Sequence, residues 1–125
     1  MKPELTLIHE DKRGAIYSIL LPTKQELMLF HSNAGFLRGG HSHDVPEIVM
    51  LLSGRLRYHK MVGGQEVVIV LEPGEISFNA PGEPHMGFFE EESWLIEWKI
   101  NTPAGGFLTT DFEPFRDLVR ERMQP

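Results

Sequence analysis

The sequence contains no cysteine. That excludes disulfides, thiolate metal sites and cysteine nucleophiles, and it fits a reducing compartment. No apolar run approaches the roughly 20 residues of a membrane helix. The opening residues, MKPELTLIHEDKRG, hold one early lysine and no apolar segment. They do not have the form of a secretory signal, so a cytoplasmic location is expected. Positive charge is in deficit, with 12 Lys and Arg against 18 Asp and Glu, for a net charge of −6. No basic helix or aromatic-basic interleaving offsets this, so neither nucleic acid nor a membrane surface is expected as a partner. Internal repeats and low-complexity tracts are also missing. The acid run Glu90-Glu91-Glu92 reads as a solvated turn between strands.

What is present suits one domain with one core. The chain has 125 residues, 41% of them hydrophobic and 24% charged, the balance of a globular protein. Its first hundred residues are short apolar or alternating runs broken by Gly and Pro. These runs predict strands over 4–9, 15–21, 25–31, 46–52, 55–61, 65–71, 75–79, 85–90 and 93–100. Gly63-Gly64 reads as a hairpin turn, and Glu72-Pro73-Gly74 and Ala80-Pro81-Gly82 as further turns. Evenly spaced short strands of this kind predict an all-β sandwich or barrel. In SWLIEWKI, period 2 places Trp94, Ile96, Trp98 and Ile100 on one face, which is expected to point inward as core. Thr110-Asp111-Phe112-Glu113 fits a capping box, with Thr110 as N-cap. A helix is therefore expected over about 111–123, with Phe112, Phe115, Leu118 and Val119 on its packed face. The chain thus divides into a barrel over 1–106 and a C-terminal helical segment over 107–125, packed on the barrel or on a second subunit.

The chemistry concentrates in GFLRGGHSHDVPEIVMLLSG, residues 35–54. His41, His43 and Glu47 differ by even numbers, so in extended chain they look the same way. Val49 and Leu51 continue that side as apolar wall. Gly39-Gly40 lets the backbone bend into the site. His85, after a Pro-Gly turn, is a fourth candidate. Three imidazoles and a carboxylate form a mixed N/O set that suits Mn, Fe, Ni, Zn or Co and leaves positions open for water or substrate. His9, His31 and His59 have no partners in sequence and read as surface or satisfied strand histidines. Tyr17, Tyr58 and Arg38 are within reach of a ligand, but sequence does not fix their facing.

These residues resemble the two motifs of the cupin superfamily. The first, G-x5-H-x-H-x3-E-x6-G, is met at Gly35, His41, His43, Glu47 and Gly54. The second, over 74–89, is met at Gly74, Gly82 and His85, with Pro81 one place late and Phe89 where the motif has Asn. The resemblance implies a double-stranded β-helix, or jelly-roll barrel, with a divalent transition metal (Mn, Fe, Ni or Zn) held by His41, His43, Glu47 and His85. It implies a small organic substrate and a menu of dioxygenase, isomerase, decarboxylase or epimerase chemistry, with no catalytic residue singled out.

DKRGAIYSI and RGGHSHD are loosely similar to sugar-nucleotide ketoisomerases. HSHDVPEIVMLLSGRLRY, PGEPH and the late Trp strand also resemble the sensing barrel of arabinose-regulator (AraC-type) transcription factors. On that second reading a chain ending at Pro125 after one helix is a free-standing, non-catalytic ligand-binding barrel. Unpaired sheet edges, the N-terminal strands and the helix lead to the expectation of a two-fold homodimer.

Overall fold

The computed structural model describes residues 1–123. Along the chain run β1 (Glu4–Asp11), β2 (Gly14–Leu20), β3 (Glu26–Ser32), β4 (Leu37–His43), β5 (Glu47–Ser53) and β6 (Leu56–Val62). They are followed by β7 (Gln65–Leu71), β8 (Ile76–Asn79), β9 (His85–Phe89), β10 (Ser93–Lys99), β11 (Thr109–Asp111) and α1 (Glu113–Met123). Two antiparallel sheets face each other as a jelly roll. One has the order β1-β2-β3-β10-β5-β8, the other β11-β4-β9-β6-β7. The Gly63-Gly64 turn joins β6 to β7 with Val62 opposite Gln65. Both glycines have positive φ, 57° and 79°, as a two-residue hairpin of this hand requires.

Between the sheets, Val49, Leu51, Leu56, Tyr58, Leu71, Phe89 and Leu95 form the core. Each fully buried aliphatic or Phe side chain contributes on the order of 1.5–3 kcal/mol. The expected inward side of β5 is found, with Glu47, Val49 and Leu51 all at 0% exposure.

β4 and β11 had no counterpart among the expected strands. β4 reads LRGGHSH, too polar and glycine-rich to look like a strand. Its register against β9 shifts between Gly39 and His41. Gly39 and Gly40 both have positive φ, 96° and 89°, and form a bulge. The extra residue reverses the alternation. Arg38 lies opposite Gly87 before it and His41 opposite His85 after it, so side chains three apart share the interior face.

The expected inward face of β10 is corrected. Leu95 and Lys99 are buried, whereas Trp94 is 36% exposed. Leu95, Glu97 and Lys99 point between the sheets, and Trp94, Ile96 and Trp98 lie on the outer face. Period 2 is present as expected. The rule that the apolar side faces inward fails because Lys99 pairs with the buried Glu47 between the sheets.

The helix start also moves. Thr109–Asp111 pairs with β4, so Thr110 is a strand residue rather than an N-cap. The first helical bonds run from Phe115 and Arg116 N–H to the Phe112 carbonyl. Phe115 and Val119 pack with Leu37 and Met86 on the outside of the second sheet, while Leu118, expected on that face, is 45% exposed.

Candidate metal centre and cavity

His41 and His43 come from β4, Glu47 from β5 and His85 from β9. One ring nitrogen from each of His41, His43 and His85 can be chosen so that all three lie within 4.8 Å of one another. Glu47 stands beside them. Its Oε2 is 3.6 Å from His43 Nε2 and its Oε1 is 3.5 Å from His85 Nε2.

The rings are oriented from behind. His85 Nδ1 lies 3.1 Å from the Glu83 carbonyl, which only accepts. That fixes the proton on Nδ1 and leaves the Nε2 lone pair facing Glu47. His43 Nδ1 lies 3.0 Å from the Thr109 hydroxyl, so β11 is part of the site. Phe107 meets His43 edge-on with ring centroids 5.4 Å apart. Burial first, then repulsion between its charged form and those of His85 and Arg116, push the His41 imidazole down to about 4. Burial pushes His43 down to about 4 as well, against the opposing pull of Glu47. His85 is also lowered, chiefly by burial. All three rings are therefore neutral at neutral pH, the form that binds metal.

Glu47 is held by two residues that sequence reading did not single out. Asn79 Nδ2 donates to its Oε1 at 2.9 Å and to the Tyr58 hydroxyl oxygen at 2.8 Å. Lys99 Nζ lies 2.8 Å from Oε2, yet that oxygen has no well-aligned hydrogen bond. Lys99 also lies 3.6 Å from Glu97. Burial raises both carboxyls, but the closer Lys99 ammonium, by charge and hydrogen bond, reverses the effect at Glu47 and holds it ionised. At Glu97 burial and the Glu47 charge win, and the carboxyl is pushed up to about 8. Alternation along β10 implied that Glu97 and Lys99 share a face, but polarity assigned that face to solvent.

The donor set fits a divalent transition metal. Three neutral imidazoles converge, and a buried carboxylate oxygen lacking an aligned partner faces them. Their separations approach those around one ion with bonds of about 2.0–2.2 Å.

A cavity of about 260 Å³ opens beside this centre and touches His41 and His85. Tyr58, Glu97, Arg38 and Arg116 also line it. Of the residues whose facing sequence left open, Arg38 and Tyr58 thus point to the cavity. Tyr17 lies outside, stacked on Trp94 at 6.5 Å. His9 pairs with Asp11, His31 packs on Trp94 and His59 lies near Glu66, so all three are accounted for away from the centre.

No family model and no curated protein matches the sequence. Solved structures do match the fold. Capsular polysaccharide assembling protein CapF from Staphylococcus aureus superposes with a TM-score of 0.67 at 18% identity, over 86% of this chain and 32% of that one. Vicilin from hazelnut, Corylus avellana, gives 0.69 at 14% identity, over 87% and 34%. A tryptophan-to-phenylalanine variant of oxalate decarboxylase from Bacillus subtilis gives 0.62 at 14% identity, over 85% and 30%. The chain spans about a third of the length of each of these proteins. All are cupin-fold proteins, and the two facing antiparallel sheets described above give this chain the same architecture, the cupin jelly roll.

Proposed function

We propose that this protein is a small metal-dependent enzyme whose ion is held by His41, His43, His85 and Glu47. The observation that carries this reading is the convergence of three neutral imidazoles within 4.8 Å beside a fully buried carboxylate, at the wall of a cavity. The mixed N/O set suits Mn, Fe, Ni or Zn. When bound, such an ion supplies Lewis acidity to a carbonyl, enol or dioxygen-derived group. The rest falls to the chain. Glu83 and Thr109 fix the rings, Asn79 and Lys99 fix Glu47, and the cavity receives a small organic molecule. At about 260 Å³ it falls below the roughly 300–1,000 Å³ of sites for drug-sized ligands. That favours a small substrate over a sugar nucleotide, and dioxygenase or isomerase chemistry over nucleotide-sugar conversion. Elemental analysis of purified protein beside His41→Ala and Glu47→Ala tests the site. About one metal per chain, lost in both variants, is expected; equal metal in all three would overturn the reading. Ligand binding indifferent to chelator, with no turnover on any metal, would instead favour a sensing barrel.

We also infer that the working unit is a homodimer built on the outer face of the six-stranded sheet. Strand register places Leu5, Leu7, Tyr17, Leu29, Ile96 and Trp94 on this face. Ile48, Met50, Ile76 and Phe78 extend it to the far edge. Leu5, Leu7, Ile76 and Phe78 are each at least 50% exposed. Six strands about 4.8 Å apart, with three outward residues on each but β8, which has two, project somewhat under roughly 600 Å², near the lower bound per partner for a specific interface before side-chain relief is counted. Its central strands present no carboxylate or lysine on this face. A surface so uncharged fits another like itself, and a second copy supplies one.

A further inference from the structure

We propose that the cavity takes a small carboxylate with an apolar body, gripped by Arg38 and Arg116. The inference rests on the metal-enzyme reading insofar as it names that site's substrate class.

Arg38 is only 7% exposed. Its Nε donates to Ser32 Oγ and its Nη2 to the His31 carbonyl, both at 3.3 Å. These partners are neutral. The acids acting on it, Asp11 and Glu97, do so only through space. Arg116 reaches the same cavity from α1, across the Gly39-Gly40 bulge. Its Nη1 donates to the Gly39 carbonyl at 2.8 Å, and its Nε is buried with no partner. Neither guanidinium forms an ion pair among the described residues. Arg13, the third arginine on the cavity, is already held by Asp11 at 2.8 Å.

A guanidinium drawn out of water without a counter-ion is destabilising. Arg38, buried, and Arg116, half-buried with a donor left over, share one small cavity and mark a place for an anion. Arginine's planar fork matches a carboxylate, and two such groups hold it in a fixed plane. The remaining wall sets the rest of the ligand. Ile16, Phe30, Leu56, Phe89 and Leu95 are apolar, so the body of the molecule is hydrophobic and short. With its carboxylate on the arginines, that body lies toward His41 and His85. The bulge makes this possible, because it turns Arg38 and His41 to one side.

Benzoate and its neutral isostere benzamide are the probes, titrated by calorimetry into the full chain after chelation and again after metal loading. Wild type is expected to prefer benzoate by about tenfold or more in both states, the worth of one or two charge-assisted hydrogen bonds. Arg38→Met and Arg116→Met are expected to lose most of this preference, Arg116→Lys to keep part of it, and the surface variant Arg57→Met to keep all of it. Thermal unfolding monitors each variant. Should Arg38→Met fail to fold, the pair at Arg116 decides the question. Equal affinity for benzoate and benzamide in wild type, or a preference untouched by the Arg116→Met change, would overturn the proposal. Benzoate preference in a protein that binds no metal would refute the metal reading and leave this one standing. Stoichiometric metal without benzoate preference would do the reverse.

Discussion

A Cβ built on Gly40 would stand 2.9 Å from the Arg116 backbone nitrogen. α1 therefore sits directly on the bulge that turns His41 inward, and the Gly40 carbonyl accepts the Phe112 N–H as the helix begins. Gly40→Ala is expected to lower stability by about 2–4 kcal/mol, combining left-handed backbone strain with displacement of the helix. Gly63→Ala, also at positive φ but with nothing within 4 Å, is expected to lose only about 1–2 kcal/mol. Urea unfolding of the two variants side by side checks this. Equal losses would mean that α1 does not bear on the bulge.

Lys99 is the only ammonium paired with Glu47 among the described residues, at 2.8 Å. Lys99→Met leaves a buried carboxylate with no counter-charge and is expected to destabilise the chelated protein by about 3–5 kcal/mol. An ion at the centre would restore positive charge. Added Mn or Zn is therefore expected to raise the Tm of Lys99→Met by more than that of wild type. An equal rise in both would separate Glu47 from the ion.

Ile96 sits opposite Leu29 and Met50 at the middle of the outer sheet face. Ile96→Asp is expected to convert a dimer to a monomer in light scattering at micromolar concentration with the fold intact by circular dichroism. A wild type that is already monomeric would contradict the interface.

Asp11 is pulled up by burial, but hydrogen bonds from Arg13 and His9 outweigh this and hold it well below the usual carboxylate range. The groups facing it are the His9 ring, the Arg13 guanidinium and, through space, Arg38. Its stabilising contribution is present above the unfolded value of about 3.9 and is lost as pH falls toward the folded value. Asp11→Asn is therefore expected to be less stable than wild type at pH 6, with the two converging toward pH 2. A gap that stays constant across that range would show that the ion pairs do not supply it.

The proposed ligands were legible strand by strand, because alternation within a strand survives folding. Glu47, Val49 and Leu51 face inward along β5, and His41 and His43 face inward from β4 in the opposing sheet, a pairing of sheets that spacing alone does not set. The strand that carries the histidines was not legible. Leu37–His43 has two glycines and too little apolar surface to look like a strand, and its pairing is set by neighbours distant in sequence. The parity change at Gly39-Gly40 is hidden for the same reason, and with it the facing of Arg38. β10 shows the opposite failure. Its alternation was visible, yet the side with Glu97 and Lys99 is the interior one. Polarity marks solvent only when the interior has no charge to balance, and here Glu47 must be neutralised. The capping box at Thr110 lost to a tertiary choice, because Thr109–Asp111 closes the edge of the second sheet against β4. Local capping is worth about 1 kcal/mol, and strand pairing at the site outweighs it.

The central claim is that one ion sits among His41, His43, His85 and Glu47. Anomalous diffraction from metal-loaded crystals, collected at the absorption edge of that metal, tests it most directly. The account predicts one dominant peak with a ring nitrogen of each histidine and an oxygen of Glu47 about 2.0–2.2 Å away. A peak elsewhere, or no peak among the three histidines in metal-loaded crystals, would contradict it.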